Sequence, residues 1–110
     1  MAILRRDGRI SMMDMNTNVK AYEQAAELLK ALAHPIRLCI VRGLIGKGSC
    51  NVSYMQECLG LPQSTVSQHL QKLRAAGIVV TSRSGLEVHY SVPDAKVQAL
   101  VHMITGEEEA

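Results

Sequence analysis

The stretch QSTVSQHLQKLRAAG, residues 63–77, holds the densest set of side chains able to trade hydrogen bonds with a partner: Gln63, Ser64, Thr65, Ser67, Gln68 and Gln71, with Lys72 beside them. Amides and hydroxyls both donate and accept, which is what reading the base edges of a DNA duplex demands. The stretch contains no acidic residue, while Lys72 and Arg74 add positive charge, so a phosphate backbone would not be repelled. A second basic candidate is Arg83, within the polar SRSG at 82–85, where it suits a phosphate or a minor groove.

His69 lies inside the same stretch and has three open roles: a base or phosphate contact, a metal ligand, or a partly buried hydrogen-bonding group. A zinc site needs companions, and neither an HExxH pattern nor paired cysteines supply them. His34, His89 and His102 are likewise scattered. The three cysteines, Cys39, Cys50 and Cys58, form an odd set without repeated spacing, which favours a reducing cytoplasm over a disulfide framework. Cys50 is expected near a helix N-terminus, where thiolates are more reactive, so Cys50 and Cys39 are the candidates for a thiol sensor. Cys39 and Cys58 are also expected to pack as small apolar side chains. If helical, the eight residues from Cys50 to Cys58 span about 12 Å, beyond disulfide reach.

Side chains of this kind need rigid elements behind them. Val66, Leu70 and Leu73 recur at helical spacing through 63–77, with Gly77 placed to end the helix. Before it, Val52, Met55 and Leu59 predict a short helix stopped by Gly60. Further upstream, Tyr22, Ala25, Ala26, Leu29, Leu32 and Ala33 mark an amphipathic helix from Asn18, interrupted at His34-Pro35. Pro35 then suits the first turn of a second helix, with Ile36, Cys39, Ile40, Val41 and Leu44 inward, ending around Gly43, Gly46 and Gly48. After Gly77, the runs Ile78–Thr81 and Leu86–Val92 flank the polar SRSG and read as a β-hairpin. Pro93-Asp94 opens a last helix with Val97, Leu100, Val101 and Ile104 in register. Short helix, tight turn, polar-faced helix and hairpin make a winged helix-turn-helix: mainly α, about five helices plus a wing at 82–86.

Composition bounds the alternatives. At 110 residues the chain makes one domain, and 47% hydrophobic against 20% charged residues is globular rather than disordered. No apolar run approaches the roughly 20 residues of a membrane-spanning helix. The net charge is +2, but without Glu107, Glu108 and Glu109 twelve basic residues face seven acidic ones, a mildly basic body suited to a polyanion. Three tyrosines and neither Trp nor Phe supply a base-stacking platform for single strands poorly. The expected organisation is a flexible N-terminal arm (1–17), a DNA-binding and dimerisation domain (18–105) and an acidic tail (106–110). The apolar stripes of the first and last helices exceed what one small body buries, so a second copy is expected on Tyr22, Ala25, Leu29, Val97, Leu100, Val101 and Ile104, unless both stripes close on their own domain.

The segments LLKALAHPIRLCIV (28–41), LPQSTVSQHLQKLR (61–74) and GLEVHYSV (85–92) resemble the ArsR/SmtB repressors, in particular their PagR-type branch. The resemblance runs from about Ala26 to Ile104. It implies a homodimeric winged helix whose first and last helices build the interface, and a transcriptional repressor acting at a palindromic operator. Gln63, Ser64, Thr65, Ser67, Gln68 and His69 match its recognition-helix motif, and Arg83 falls in the wing. Many relatives sense metals, but the thiolate pair aligns with Asn51 and Ser53, and the carboxylate and histidine set aligns with Asp94, Lys96, Glu107 and Ala110. No metal or other cofactor is therefore expected. The partners expected are double-stranded DNA and a second copy, with no membrane. The rival readings are a winged-helix module that binds protein and a thiol-responsive repressor. An enzyme is disfavoured, because the chain lacks a nucleophile elbow, a P-loop and a dinucleotide fingerprint.

Overall fold

The computed structural model describes residues 18–106; the expected arm at 1–17 and the glutamates of the tail lie outside them. Five helices and one hairpin follow in order: α1 Val19–Leu32, α2 Pro35–Lys47, α3 Val52–Leu59, α4 Gln63–Ala75, β1 Val80–Ser84, β2 Glu87–Ser91 and α5 Ala95–Thr105. This is the winged helix-turn-helix architecture read from the sequence.

The helix boundaries have local causes. His34 is extended and its Nδ1 accepts the Ile36 amide at 3.1 Å, capping α2 with Pro35 in the first turn. Asn51 caps α3 by accepting from the Tyr54 amide at 2.9 Å, and Asp94 caps α5 by accepting from the Lys96 amide at 2.8 Å. Gly77, at φ +77°, ends α4 in a left-handed turn closed to most other residues. Helix α2 runs through Gly43 and Gly46 and stops only at Gly48, because tertiary packing outweighs the roughly 1 kcal/mol a helical glycine costs.

The core gathers Ile40, Val41 and Leu44 of α2, Met55 of α3, Val66, Leu70 and Leu73 of α4, Ile78 and Val79 before the hairpin, and Val97 and Val101 of α5. Two expectations are corrected here. Cys39 and Cys58 are exposed, while Cys50 is the buried thiol; Ile40, Val41, Leu44 and Met55 occupy the inward positions of their helices. Val97 and Val101, expected at a subunit interface, are 2% and 0% exposed within the single chain; their four-residue spacing puts both on one face of α5, and that face packs into the domain's own core.

In the wing β1 pairs antiparallel with β2 from Val80↔Ser91 to Ser84↔Glu87. The polar run expected to form the tip thus continues the strand, and the turn falls at Gly85 and Leu86, the latter 98% exposed. Cys50 and Tyr90 form an isolated antiparallel bridge that ties the α2–α3 linker to β2.

Candidate nucleic-acid interface

Helix α4 is divided sharply along its length. Val66, Leu70 and Leu73 are fully buried, each side chain contributing about 1.5–3 kcal/mol by leaving water, which fixes the helix in rotation. That fixation leaves Gln63, Ser64, Ser67, Gln68, Gln71 and Lys72 exposed. Ser64, Gln68 and Gln71 follow each other by four and three residues and so share one face. Thr65 is half-buried at its edge. No side chain caps the N-terminus of α4, where Pro62 is the N-cap, so its first amide groups are available to an anion. Lys72 and Arg74 occupy its last turn. The exposed polar row therefore meets a partner with donors, acceptors and positive charge.

His69 is placed differently from the other residues of the motif. It is half-buried on α4, its Nδ1 accepts from Arg37 Nε at 3.3 Å, and its ring lies 4.6 Å from that of His34. Burial pushes its pKa below the usual imidazole range, with His34 and Arg37 adding to the same shift. In the sequence His34 marks only the break between two helices and Arg37 carries no signal of its own; both lie far from His69 along the chain, so nothing there joins the three.

Arg83 is exposed on β1 opposite Val88, so the wing holds its basic group within the strand, set back from the tip. The expected dimer residues divide. Tyr22 and Leu29 of α1 and Ile104 of α5 are 44%, 54% and 57% exposed, joined by Val19 and by Met103, which the periodicity had not singled out. Ala25 is exposed and Leu100 half-buried, and both line a groove between α1 and α5.

All three cysteines line one cavity of about 230 Å³ between α2 and α3, together with Lys47 and Tyr54. Lys47 Nζ stands 4.7 Å over the Tyr54 ring. Burial raises the Cys50 thiol pKa despite the opposing charge of Lys47. Of the positions that align with metal ligands in the resemblance, Asn51 and Asp94 are engaged as helix caps and Lys96 follows Asp94 closely, while Glu107 and Ala110 lie outside the described residues; among the described residues no three His, Cys, Asp or Glu side chains are grouped to hold a metal ion. Among those residues no helix is long and apolar enough to cross a membrane.

A short helix, a tight turn and a helix with one buried stripe and one polar face, followed by a two-stranded wing, define a winged helix-turn-helix protein. Residues 32–82 match the model of a helix-turn-helix domain family. The transcriptional repressor PagR of Bacillus anthracis is 41% identical over 84% of this chain and 92% of its own length. The repressor SmtB of Mycobacterium tuberculosis is 44% identical over 72% of this chain and 58% of its own. The crystal structure of PagR superposes with a TM-score of 0.74 at 43% identity, covering 78% of this chain and 98% of that one. A solution structure from Mycobacterium bovis, described as the homodimeric winged helix-turn-helix DNA-binding domain of a possible ArsR-family regulator, gives 0.74 at 28% identity, covering 80% and 81%. The chain belongs to the ArsR/SmtB family of winged helix-turn-helix, DNA-binding transcriptional regulators.

Proposed function

We propose that the protein is a homodimeric repressor that occludes a promoter by laying α4 of each protomer into successive major grooves of a palindromic operator. The observation that carries this reading is the acid-free row of amide and hydroxyl groups on α4, exposed opposite a fully buried stripe. Gln63, Ser64, Thr65, Ser67, Gln68 and Gln71 supply sequence choice; Lys72, and Arg83 on the wing, supply affinity through phosphates. The second copy covers Tyr22, Ala25 and Leu29 of α1 and Leu100, Met103 and Ile104 of α5, an apolar surface that one chain leaves in water. Twofold symmetry then sets the reading helices one turn of DNA apart, about 34 Å. Repression by exclusion needs no catalysis and no cofactor. The work is done in the cytoplasm, with the chromosome.

Selection of bound duplexes from a random pool tests the reading. An inverted repeat with half-sites about one helical turn apart is the expected product. Failure to retain any duplex in a salt-dependent way would turn the assignment toward a protein-binding module.

A second reading, thiol-modulated repression, is favoured by the convergence of Cys39, Cys50 and Cys58 on one cavity. Helix α3, which forms one wall of that cavity, also packs on α4, so modification of an exposed thiol at the cavity would disturb the seat of the reading helix. Operator binding measured before and after modification of the protein by mild peroxide or a persulfide separates the two readings; unchanged binding by the modified protein removes the second.

A further inference from the structure

Three residues from separate parts of the fold meet beside α4, off its exposed polar row. Arg37, in the first turn of α2, reaches two ways: Nη1 donates to the carbonyl oxygen of Ala31 in the last turn of α1 at 3.1 Å, and Nε donates to His69 Nδ1 at 3.3 Å. His34, already fixed as the cap of α2, places its ring 4.6 Å from that of His69 with a 54° tilt. One half-buried cluster therefore joins the end of α1, the start of α2 and the middle of α4. The geometry points to His69 as a positioning residue that, through Arg37 and His34, fixes how the reading helix sits on the α1–α2 corner, and does so only as a neutral ring. This rests on the DNA-binding role assigned to α4 above.

The chemistry requires the neutral form. Arginine has no acceptor and its Nε always carries hydrogen, so His69 Nδ1 presents its lone pair and the ring proton resides on Nε2. A second proton would go to Nδ1, setting N–H against N–H and cation against cation. The charged groups on the helices packed against α4 are Lys20, Glu23, Glu27 and Lys30 of α1, of which Glu27 and Lys30 pair at 3.6 Å, Arg37, Arg42 and Lys47 of α2, and Glu57 of α3, with His34 at the corner. Lys72 of α4 shares a groove with Arg37 and the Glu27–Lys30 pair. Those bearing on His69 are His34 and Arg37, and both oppose its protonation, as does burial.

The sign of the pH dependence follows. A histidine whose folded pKa is depressed contributes fully above its ordinary value of about 6.5, and that contribution is lost as pH falls through the lowered folded pKa. Seating of α4, and with it duplex affinity, weakens on acidification. A His69 that touched phosphate itself would behave oppositely, since an imidazolium attracts the backbone.

Two measurements on the full chain test this. Long-range proton–nitrogen spectra of the imidazoles are expected to show His69 with its proton on Nε2 and a titration midpoint below about 6.5. Duplex affinity is then followed from about pH 7.5 to about 5.5 for wild type, H69L and H69Q. H69L, which offers Arg37 no acceptor, is expected to bind every duplex about tenfold more weakly. H69Q, whose amide oxygen can accept from Arg37 and cannot titrate, is expected to rescue most of that loss and to shed the part of the acid dependence due to His69. A proton on Nδ1, a midpoint at or above the ordinary value, wild-type affinity that rises on acidification, or H69L binding like wild type would each overturn the inference. The spectra need no DNA, so the cluster is judged even if the chain retains no duplex.

Discussion

Cys50 and Tyr90 exchange both of their backbone hydrogen bonds, the Cys50 amide to the Tyr90 carbonyl at 3.2 Å and the Tyr90 amide to the Cys50 carbonyl at 2.9 Å. The bridge holds the linker before α3 against the wing and keeps the Cys50 side chain in the core at 7% exposure. The thiol nearest the start of α3 is thus the one best shielded from reagents.

This fixes an order of thiol reactivity. Burial raises the Cys50 pKa, so less thiolate is present at any given pH, and the side chain is sterically covered as well. Cys39 and Cys58 are exposed. Timed labelling with iodoacetamide, read by mass spectrometry of peptides, is expected to modify Cys39 and Cys58 first and Cys50 only when the fold opens. Raising the pH toward the Cys50 pKa speeds its labelling less than denaturant does. Early labelling of Cys50 in the native protein contradicts the placement.

The two faces of α4 respond differently to truncation. Leu70→Ala removes a side chain that is 1% exposed and is expected to cost about 2–5 kcal/mol in denaturant unfolding. Gln68→Ala, on the exposed row, changes stability by less than about 0.5 kcal/mol. Its effect appears in sequence preference, where a lost bidentate base contact removes about 1–3 kcal/mol of discrimination. Binding of matched and mismatched duplexes by both variants checks the separation; unaltered discrimination in Gln68→Ala removes that residue from the reading surface.

Helix α4 was legible because Val66, Leu70 and Leu73 leave one rotation for the helix, and that rotation exposes the polar side chains together. The same logic failed on α5: Val97 and Val101 belong to an apolar stripe that could serve the domain's own core or a partner, and periodicity cannot divide the two uses. On the wing, Ser82 and Ser84 read as loop residues by type. They hold strand positions because an exposed two-stranded ribbon depends on backbone pairing, which carries no side-chain signature. The link between Arg37 and His69 spans 32 residues, and nothing local in the chain announces it.

Arg83 lies on β1, paired with Val88 and exposed. A phosphate contact from there strengthens binding to any duplex without choosing among sequences. Arg83→Ala is expected to weaken specific and random duplexes alike and to lower the slope of log affinity against log salt by about one. A salt titration on both duplex types decides it, and an unchanged slope would place the wing away from the backbone.

The apolar surface left by one chain separates folding from assembly. Leu29 and Ile104 are 54% and 57% exposed on α1 and α5, whereas Val101 is fully buried. If the second copy covers α1 and α5, Leu29→Glu puts a charge at the subunit interface while leaving the core of each domain intact. Sedimentation is expected to show a folded monomer, and operator affinity falls because the two half-sites are no longer read by one linked particle. Val101→Ala acts the other way, lowering the unfolding midpoint through a core cavity. A Leu29→Glu protein that remains dimeric at micromolar concentration would show that another face joins the copies, and the groove between α1 and α5 would need a different occupant.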